Sequence, residues 1–509
     1  MLNLNQAIIF YGGDVNIGRR TNFNRHEKPF GDLKIMMDAD LRIINLECVI
    51  GVQGRQGINK GEGGPYYYHA RPEQINLLID AQIDVALTAN NHCKDYYEAT
   101  LLEQCKYLDR AGILHCGTGA NINEAAQPLF VKVKDIVVAI FNVDSTLKYY
   151  AATPDKAGTF YLPPDKPELW QKYFAERFAA ARRYADIILA APHWGLNGVK
   201  EPSEQTKTLG RLLIDCGADA VLGCHSHYIQ GVETYKDRPI IYDAGNFVFD
   251  SLLKPYLGGA FSLTITKRGV EEVSFTPLLI DFCRAVPVAE AQELEMGGKF
   301  ISACRKLNTP SAIFEPGLVR LKFTPPPRAE RELEPIKLSV PRHDGIKFLP
   351  LSEPLPEWTA AQVPADAAIE PQQFGSLKLI GCRVPPECIN MKRRQMLYVE
   401  TWWTIDEPTD KDLRIYPLGV PVIEKSMPSI GAGMFHQGCD WMWPTNRWKP
   451  GVIYYERFGL RPPGIREIVN VGITLQVMVL DGKEILGGYT YPKKIQLQIP
   501  NRPTAVAAR

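Results

Sequence analysis

The chain has 509 residues, enough for two to four domains, and its 45% hydrophobic and 23% charged content is ordinary for a globular protein. A formal net charge of +1 argues against a protein that coats nucleic acid or adsorbs to membranes. No basic residue precedes the short apolar run at 7–10, and no run of about eighteen apolar residues occurs, so we expect neither a secretory signal nor a membrane span. The eleven cysteines include no C-x-x-C pair, which predicts reduced thiols and a cytoplasmic location.

Strands and helices are predicted to alternate along the first half of the chain. Buried strands are expected at 6–13, 40–50, 84–88, 135–143, 186–191, from 220 onward and at 239–242, and helices at 71–82, 96–111, 168–184 and 203–216. This alternation predicts a mostly parallel or mixed sheet with helices on both faces. The first half is therefore expected to be an α/β domain.

The second half has a different character. A helix at 291–307 and a strand at 317–324 are expected, followed by a proline-rich tract at 325–371 that is typical of a linker wrapped on a surface. Strand-like segments separated by turns then predict an antiparallel β-sandwich, at 376–382, 396–405, 451–458, 468–480 and 485–491. We therefore expect three parts, at 1–285, 286–374 and 375–509.

The last part contains five tryptophans that allow two interpretations. Their rings could stack on sugars, which would make this part a site of glycan or protein contact, but tryptophans more often pack a sandwich core. They are Trp402, Trp403, Trp441, Trp443 and Trp448.

Polar side chains follow the ends of five predicted strands. Ligands of open α/β sheets bind in the crevice outside the carboxyl ends of the strands, so we expect these residues to meet there. In an extended backbone, the last two of them would present their imidazoles on one face. The residues are Asp14, Glu47, Asn91 with His92, His193, and His225 with His227; His69, in a glycine-rich loop, is a further candidate.

This residue set predicts a dinuclear metal site. Asp14, Glu47, Asn91, His193, His225 and His227 are enough ligands for two divalent ions roughly 3.5–4 Å apart, which could activate a shared water. Mixed oxygen and nitrogen ligands favour Mn, Fe or Zn over Ca or Mg. His92 would be the general acid for the leaving group and Asp95 would orient it. Arg19 and Arg20 would bind substrate anions.

Five of these residues also have a structural interpretation. Asp14 could be a turn residue after two glycines, and Glu47 could be a surface carboxylate. His193 could be a buried histidine beside Trp194, and the two arginines could begin a solvated helix.

Six motifs in order resemble the CapA family of bacterial capsule and poly-γ-glutamate biosynthesis proteins (PgsA type). The resemblance covers roughly residues 6–285 and implies a calcineurin-like metallophosphoesterase fold, an α/β/β/α sandwich, with the ligands and general acid named above. It also places Asn246 among the substrate-binding residues. The motifs are Gly13-Asp14, Asn45–Glu47, Ala89–Tyr96, His193–Gly195, Gly223–Gln230 and Gly245–Asp250.

Two departures from the family pattern affect these expectations. Related phosphoesterases often begin with Asp-x-His, whereas Asn16 stands here, so the first metal position is expected to be weak or differently built. Asn197 stands where relatives commonly have a glutamate. Many capsule-associated members carry a membrane anchor that this sequence does not show, which favours a soluble enzyme.

Three functions are compatible with the sequence. The first is a metal-dependent hydrolase that acts on a phosphoester or related linkage in capsule-like or poly-γ-glutamyl products, with an anionic small molecule or polymer as substrate. The second keeps the metals but cleaves or transfers an amide. The third is a non-catalytic assembly subunit with a vestigial metal site.

Overall fold

The computed structural model describes most of the chain in two compact units. Unit 1 comprises Met1–Gly54 and Tyr68–Leu349, and unit 2 comprises Arg55–Tyr67 and Pro350–Arg509. The division at 349/350 lies inside the tract expected to be a linker. The described residues are 6–18, 28–54, 60, 66–249, 256–281, 283–309, 312–328, 332–343, 346–392, 397–421, 430–431, 436–460, 470–482 and 484–498.

Unit 1 is a mixed α/β structure with more strand than helix. Its elements are β1 Ala7–Val15, α1 Lys34–Met37, β2 Leu41–Leu46, β3 Val49–Ile50, β4 His69–Ala70, α2 Ile75–Asp80, β5 Val85–Leu87, α3 Tyr97–Ala111, β6 Leu114–Cys116, β7 Thr118–Gly119, α4 Ile122–Ala125, β8 Leu129–Val133, β9 Ile136–Asp144, β10 Gly158–Thr159, α5 Pro167–Ala181, β11 Ile187–His193, α6 Glu204–Asp215, β12 Ala220–Leu222, β13 Ile229–Tyr235, β14 Arg238–Ala244, β15 Asn246–Val248, β16 Tyr256–Thr266, β17 Gly269–Asp281, β18 Arg284–Pro287, α7 Glu290–Lys306, β19 Ile313–Glu315 and β20 Leu318–Lys322.

The alternating elements of unit 1 build two large mixed sheets. The first has the order β19-β20-β17-β16-β1-β2-β5-β6 and the second the order β13-β14-β12-β11-β9-β8. Strands β1, β2, β5 and β6 are parallel to one another, as are β9, β11, β12 and β14. The predicted alternation is confirmed, and each sheet contributes a parallel centre whose strand ends can carry a site.

The long hairpin β16–β17 was missing from the sequence-based expectations. It pairs Tyr256 with Ile280 at one end and Thr266 with Gly269 at the other, and it places β16 beside β1. Inward and outward positions do not alternate regularly along either strand, so the period-2 pattern that identifies a half-buried strand is weak.

Two hydrophobic cores hold the sheets and helices of unit 1 together. One core contains side chains of both sheets, among them Ile9, Ile43, Leu189 and Ile241. The other covers the opposite face of the second sheet with α5 and α6, where Trp170, Phe174 and Phe178 follow the i, i+4, i+8 spacing of one helix face. Helix α3 ends at Gly112, which has φ +73° and closes the helix as a left-handed cap. No helix among the described residues is both long and apolar enough to cross a membrane.

The first part of the proline-rich tract is bound to the surface of unit 1. The guanidinium of Arg328 donates to the buried carboxylate of Asp219, and His343 lies 2.8 Å from the carboxylate of Asp84. The amide of Ser339 donates to the carbonyl of Phe130 at 2.8 Å. The described parts of 325–349, called the strap below, thus have almost no regular structure but many polar contacts.

Replacement of Arg328 by alanine should lower the free energy of unfolding of unit 1 by about 1–3 kcal/mol, the usual contribution of a hydrogen bond to a charged group. Asp219 is 1% exposed and would keep its pair with Arg182 at 2.8 Å, but it would lose a second charged partner that water does not fully replace. Urea denaturation would measure the change. Glu334→Ala is the control, because its pair with Arg183 is exposed and worth about 0–1 kcal/mol. Equal effects of the two substitutions would contradict this role of the strap.

Unit 2 is rich in β-structure. Its strands are β21 Thr359–Ala360, β22 Ala368–Phe374, β23 Leu377–Arg383, β24 Asn390–Lys392, β25 Leu397–Ile405, β26 Arg414–Pro421, β27 Ile430–Gly431, β28 His436–Gln437, β29 Ile453–Leu460, β30 Asn470–Asp481, β31 Glu484–Thr490 and β32 Ile495–Gln498.

The strands of unit 2 form a five-stranded and a seven-stranded sheet. Their pairs are antiparallel except for β24 with β32, which is parallel. Each of the five tryptophans is at most 4% exposed, as expected when such rings pack a core rather than bind sugar.

Candidate metal centre

Strand ends of both sheets of unit 1 meet at the candidate site. Asp14 is the penultimate residue of β1, Glu47 follows β2, and Asn91 lies in the segment after β5; all three strands belong to the first sheet. His193 is the last residue of β11, and His225 and His227 follow β12, in the second sheet. All six side chains are buried except His227, which is partly exposed. The residues that the sequence analysis grouped therefore lie together.

Gly13 allows Asp14 to reach this position. Its φ is +70°, and a Cβ there would lie 2.3 Å from the carbonyl oxygen of Gly245. Only glycine tolerates both conditions. The backbone of Asp14 then donates to the carbonyl of Gly245 at 2.9 Å, which brings the β14–β15 turn against the site.

One group of ligand atoms surrounds His193. Its Nε2 lies 2.9 Å from Oδ1 of Asn91, 3.0 Å from Nδ1 of His225 and 3.7 Å from Oε1 of Glu47. These four side chains come from four different strand ends. Each presents an atom with a lone pair, which is the donor set of a transition-metal site.

A second group surrounds His227. Its Nδ1 lies 3.4 Å from Oδ2 of Asp14 and 3.8 Å from Oε2 of Glu47. Glu47 thus directs one oxygen to each group, which is the geometry of a carboxylate that bridges two ions. Oδ2 of Asp14 is buried and accepts no hydrogen bond from the described residues.

The electrostatics of the second group fit a bound cation. Burial lowers the pKa of His227, but the carboxylates of Glu47 and Asp14 raise it more, to about 10. The same negative potential that retains this proton would retain a divalent ion in its place. Ligand atoms of Asp14, Glu47 and His227 lie within 4.8 Å of one another, as do those of Glu47, His193 and His225. These residues could hold a metal in each group.

The backbone at the two histidines differs from the sequence-based expectation. His225 has φ +124° and His227 has φ +66°, so the segment is not extended and the i, i+2 argument for a shared face is wrong. The segment is a tight loop, held by the carboxylate of Asp243, which accepts from the amides of Ser226 at 2.6 Å and Gly245 at 2.8 Å. Non-glycine residues at positive φ cost about 1–3 kcal/mol each and persist where the surrounding structure demands them. The loop directs the two imidazoles to different groups of ligands.

His92 is oriented by a carboxylate, as its proposed role requires. Its Nδ1 lies 2.6 Å from Oδ2 of Asp95, and its Nε2 lies 3.8 Å from Oε1 of Glu47, at the edge of the site. Asp95 is held by the amide of Tyr68 at 2.7 Å and the hydroxyl of Tyr150 at 2.9 Å. The ring of Tyr68 also stacks on His92, with centroids 3.9 Å apart. The imidazole is therefore fixed with Nε2 toward the ligand cluster.

The remaining predicted site residues have different positions. Asn246 places Oδ1 2.8 Å from Nδ1 of His227, next to the cluster. The ring of His69 lies against that of Tyr96, with centroids 3.8 Å apart and the two planes tilted by 30°. Asn16 accepts from the amide of Gly18 at 2.9 Å, so its oxygen stabilises the turn after β1. Arg19 and Arg20 lie outside the described residues.

Two residues at the site were absent from the predicted ligand set. Asn45 donates from Nδ2 to Oδ1 of Asp14 at 2.8 Å and lies 3.4 Å from Nδ1 of His193. The thiol of Cys224 lies 3.3 Å from the same Nδ1, and burial raises the pKa of this thiol, which keeps it protonated. Both lie within the strand-end motifs Asn45–Glu47 and Gly223–Gln230, and this position is the signal that could have identified them as site residues. They fix the ring of His193 so that Nε2 faces the other ligands.

Fold and site define an α/β protein with a histidine–carboxylate cluster at the strand ends. Residues 8–251, which contain every residue of this cluster, match the model of the family described as bacterial capsule synthesis protein PGA_cap. The predicted resemblance to the CapA family is thereby confirmed for this segment. Helix α7, the strap and the part of unit 2 from Pro350 onward lie beyond it.

Relatives with CapA names match the same part of the chain. The chain is 28% identical over 219 residues to the PGA biosynthesis protein CapA of Bacillus subtilis, covering 42% of this chain and 56% of that protein. It is 26% identical over 249 residues to the capsule biosynthesis protein CapA of Bacillus anthracis, covering 47% and 58%. It is 27% identical over 230 residues to a probable polyglutamine synthesis accessory protein of Mycobacterium tuberculosis, covering 44% and 60%. The chain thus spans 56% to 60% of the length of these relatives.

Proposed function

We propose that unit 1 is a metal-dependent hydrolase with a dinuclear centre of Mn, Fe or Zn, built on a metallophosphoesterase-like α/β/β/α sandwich. One observation carries the proposal: Glu47 directs its two oxygens to two separate groups of ligand atoms, one around His193 and one around His227. An α/β/β/α arrangement is supported by the core that contains side chains of both sheets.

Two ions bound there would polarise the scissile group and supply a hydroxide nucleophile at neutral pH. His193, His225 and Asn91 would hold one ion, Asp14 and His227 the other, and Glu47 both. The sulfur of Cys224 would accept from Nδ1 of His193 and hold this ring in the ligating tautomer, while Asn45 donates to Asp14 and holds that carboxylate in place. His92 would donate a proton from Nε2 to the leaving group, while Asp95 accepts from Nδ1 and keeps the ring in place.

The names of the relatives suggest the kind of substrate. They concern capsule, PGA and polyglutamine synthesis, so we propose that the linkage cleaved belongs to such an anionic product. A phosphoester is the substrate typical of a dinuclear site of this composition. The same names favour, as a second candidate, cleavage or transfer at an amide of a glutamyl product.

Freshly purified protein should contain close to two equivalents of transition metal. Elemental analysis would measure this, and a panel of phosphomonoesters, phosphodiesters and γ-glutamyl amides would then identify the bond. If the protein cleaved only the amides, the phosphoesterase proposal would be wrong and the second candidate would be supported. Less than one equivalent of every transition metal, with no activity on the panel, would favour a non-catalytic assembly subunit.

Removal of the metal should lower the melting temperature of unit 1, and addition of Mn²⁺ should restore it. A ligand that binds only the folded state at about 100 times its Kd stabilises that state by about 2.7 kcal/mol. Differential scanning calorimetry with and without a chelator would measure the shift. In Glu47→Gln the shift should disappear, and an equal shift in that variant would place the metal elsewhere.

A further inference from the structure

A cavity of about 500 Å³ lies beside the candidate metal centre, at the start of β13. Its walls come from residues 200–230, from the beginning of β16, and from helix α7. Helix α7 follows the segment that matches the capsule synthesis family, so the cavity depends on an element outside that match. Tyr228, which directly follows His227, lines it.

The floor of the cavity is apolar and rigid. Ile229 and Leu257 are half-buried, line the cavity and pack against the core shared by the two sheets, which contains Met296 and Phe300 of α7. The ring of Phe300 stacks on Phe275, with centroids 4.1 Å apart. A floor of this kind is preformed, so it would bind an apolar chain without first reordering.

The rim of the cavity is positively charged. Four lysines line it together with one acidic residue, Glu201. The lysines are Lys200, Lys207, Lys299 and Lys306.

Three of these lysines form ion pairs with glutamates at the surface. Lys207 pairs with Glu204, Lys299 with Glu295, and Lys306 with Glu201, and each of these glutamates is more than half exposed. The ammonium of Lys200 lies 5.4 Å from the ring centroid of Tyr228. Exposed ion pairs contribute about 0–1 kcal/mol, so an anionic ligand could exchange with these glutamates at little cost.

We propose that this cavity binds an amphipathic anion, a small molecule with an acid group at the lysine rim and an apolar chain on the floor of Ile229 and Leu257. The two halves of the cavity favour both features: a simple anion would leave the apolar floor in contact with water, and a neutral hydrocarbon would gain no attraction from the lysine charges. The volume lies within the range of small-molecule sites, about 300–1,000 Å³. The site does not involve the metal ligands.

Isothermal titration of the full chain, treated with a chelator, tests this proposal. Decanoate should bind at one site per chain. Acetate, which has the charge without the chain, and decyltrimethylammonium, which has the chain with the opposite charge, should each bind at least about tenfold more weakly, a difference of about 1.4 kcal/mol. Equal binding of decanoate and either of the other probes would overturn the proposal.

Variants locate the binding. Ser302 is exposed on α7 and lines the cavity, so Ser302→Trp should block decanoate without disturbing the core. The double variant Lys200→Ala, Lys299→Ala should weaken decanoate about fivefold or more, because two of the four rim charges are lost. Lys172→Ala, an exposed lysine on α5 outside the cavity, is the control and should bind normally. Unchanged binding in Ser302→Trp and in the double variant would overturn the assignment. Since no reaction is measured, neither result bears on the proposed hydrolase.

Discussion

Glu47→Gln should reduce the bound metal from about two equivalents to less than one and lower kcat/KM by about 10³-fold or more, since both ions of the centre would lose their common ligand. Glutamine keeps the shape of the side chain but removes the charge. The variant should fold, because a buried carboxylate replaced by an isosteric amide leaves no cavity and removes a desolvated charge. Elemental analysis and steady-state kinetics on the substrate identified by the panel would measure the two effects.

The matched control for this prediction is Glu98→Gln. Glu98 is a half-exposed residue of α3 that pairs with Lys94, so the same chemical change should leave metal content and rate close to those of the wild type. Two equivalents of metal in Glu47→Gln, with a rate within a factor of two, would show that the carboxylate is structural.

His92→Asn should lower kcat by about 10²–10⁴-fold for a substrate whose leaving group must be protonated, while metal content stays at two equivalents. For a p-nitrophenyl ester the loss should be much smaller, because that leaving group departs without a proton. The prediction rests on the orientation of the ring, with Nδ1 on Asp95 and Nε2 toward Glu47. Kinetics with paired alkyl and p-nitrophenyl substrates would separate acid catalysis from a general loss of activity.

His115→Asn is the control, since His115 lies on β6 and contacts Asp109 outside the site. Equal losses with both leaving groups would contradict the acid role. A fall in bound metal in His92→Asn would instead make His92 a ligand.

The grouping of the site residues followed from the sequence because each is adjacent to a strand end. Parallel strands of one sheet share an edge, so Asp14, Glu47 and Asn91 had to come together once β1, β2 and β5 were parallel neighbours. Their assignment to metal ligands is still a prediction. The roles of Asn45 and Cys224 depend on distances to His193, and no local pattern encodes such distances.

Other features could not be predicted because they depend on contacts between distant segments. The left-handed backbone at His225 and His227 is imposed by Asp243 and by the neighbouring turn, not by local preference. The hairpin β16–β17 lacks a regular alternation of buried and exposed residues, and its position beside β1 is determined by tertiary packing. The cavity at α7 arises only because the helix packs beside the start of β13.

The strap has a consequence for the order in which unit 1 is completed during synthesis. Arg328 follows Asp219 by 109 residues in the sequence, and His343 follows Asp84 by 259 residues. A ribosome that has translated only the family-matched segment has already made Arg182, which pairs with Asp219, and Arg42, which pairs with Asp84, but it has not yet made the strap partners of these two carboxylates. A fragment that stops at residue 251 or 285 lacks both partners. An independently expressed unit 1 must therefore extend to Leu349 if it is to include both strap contacts.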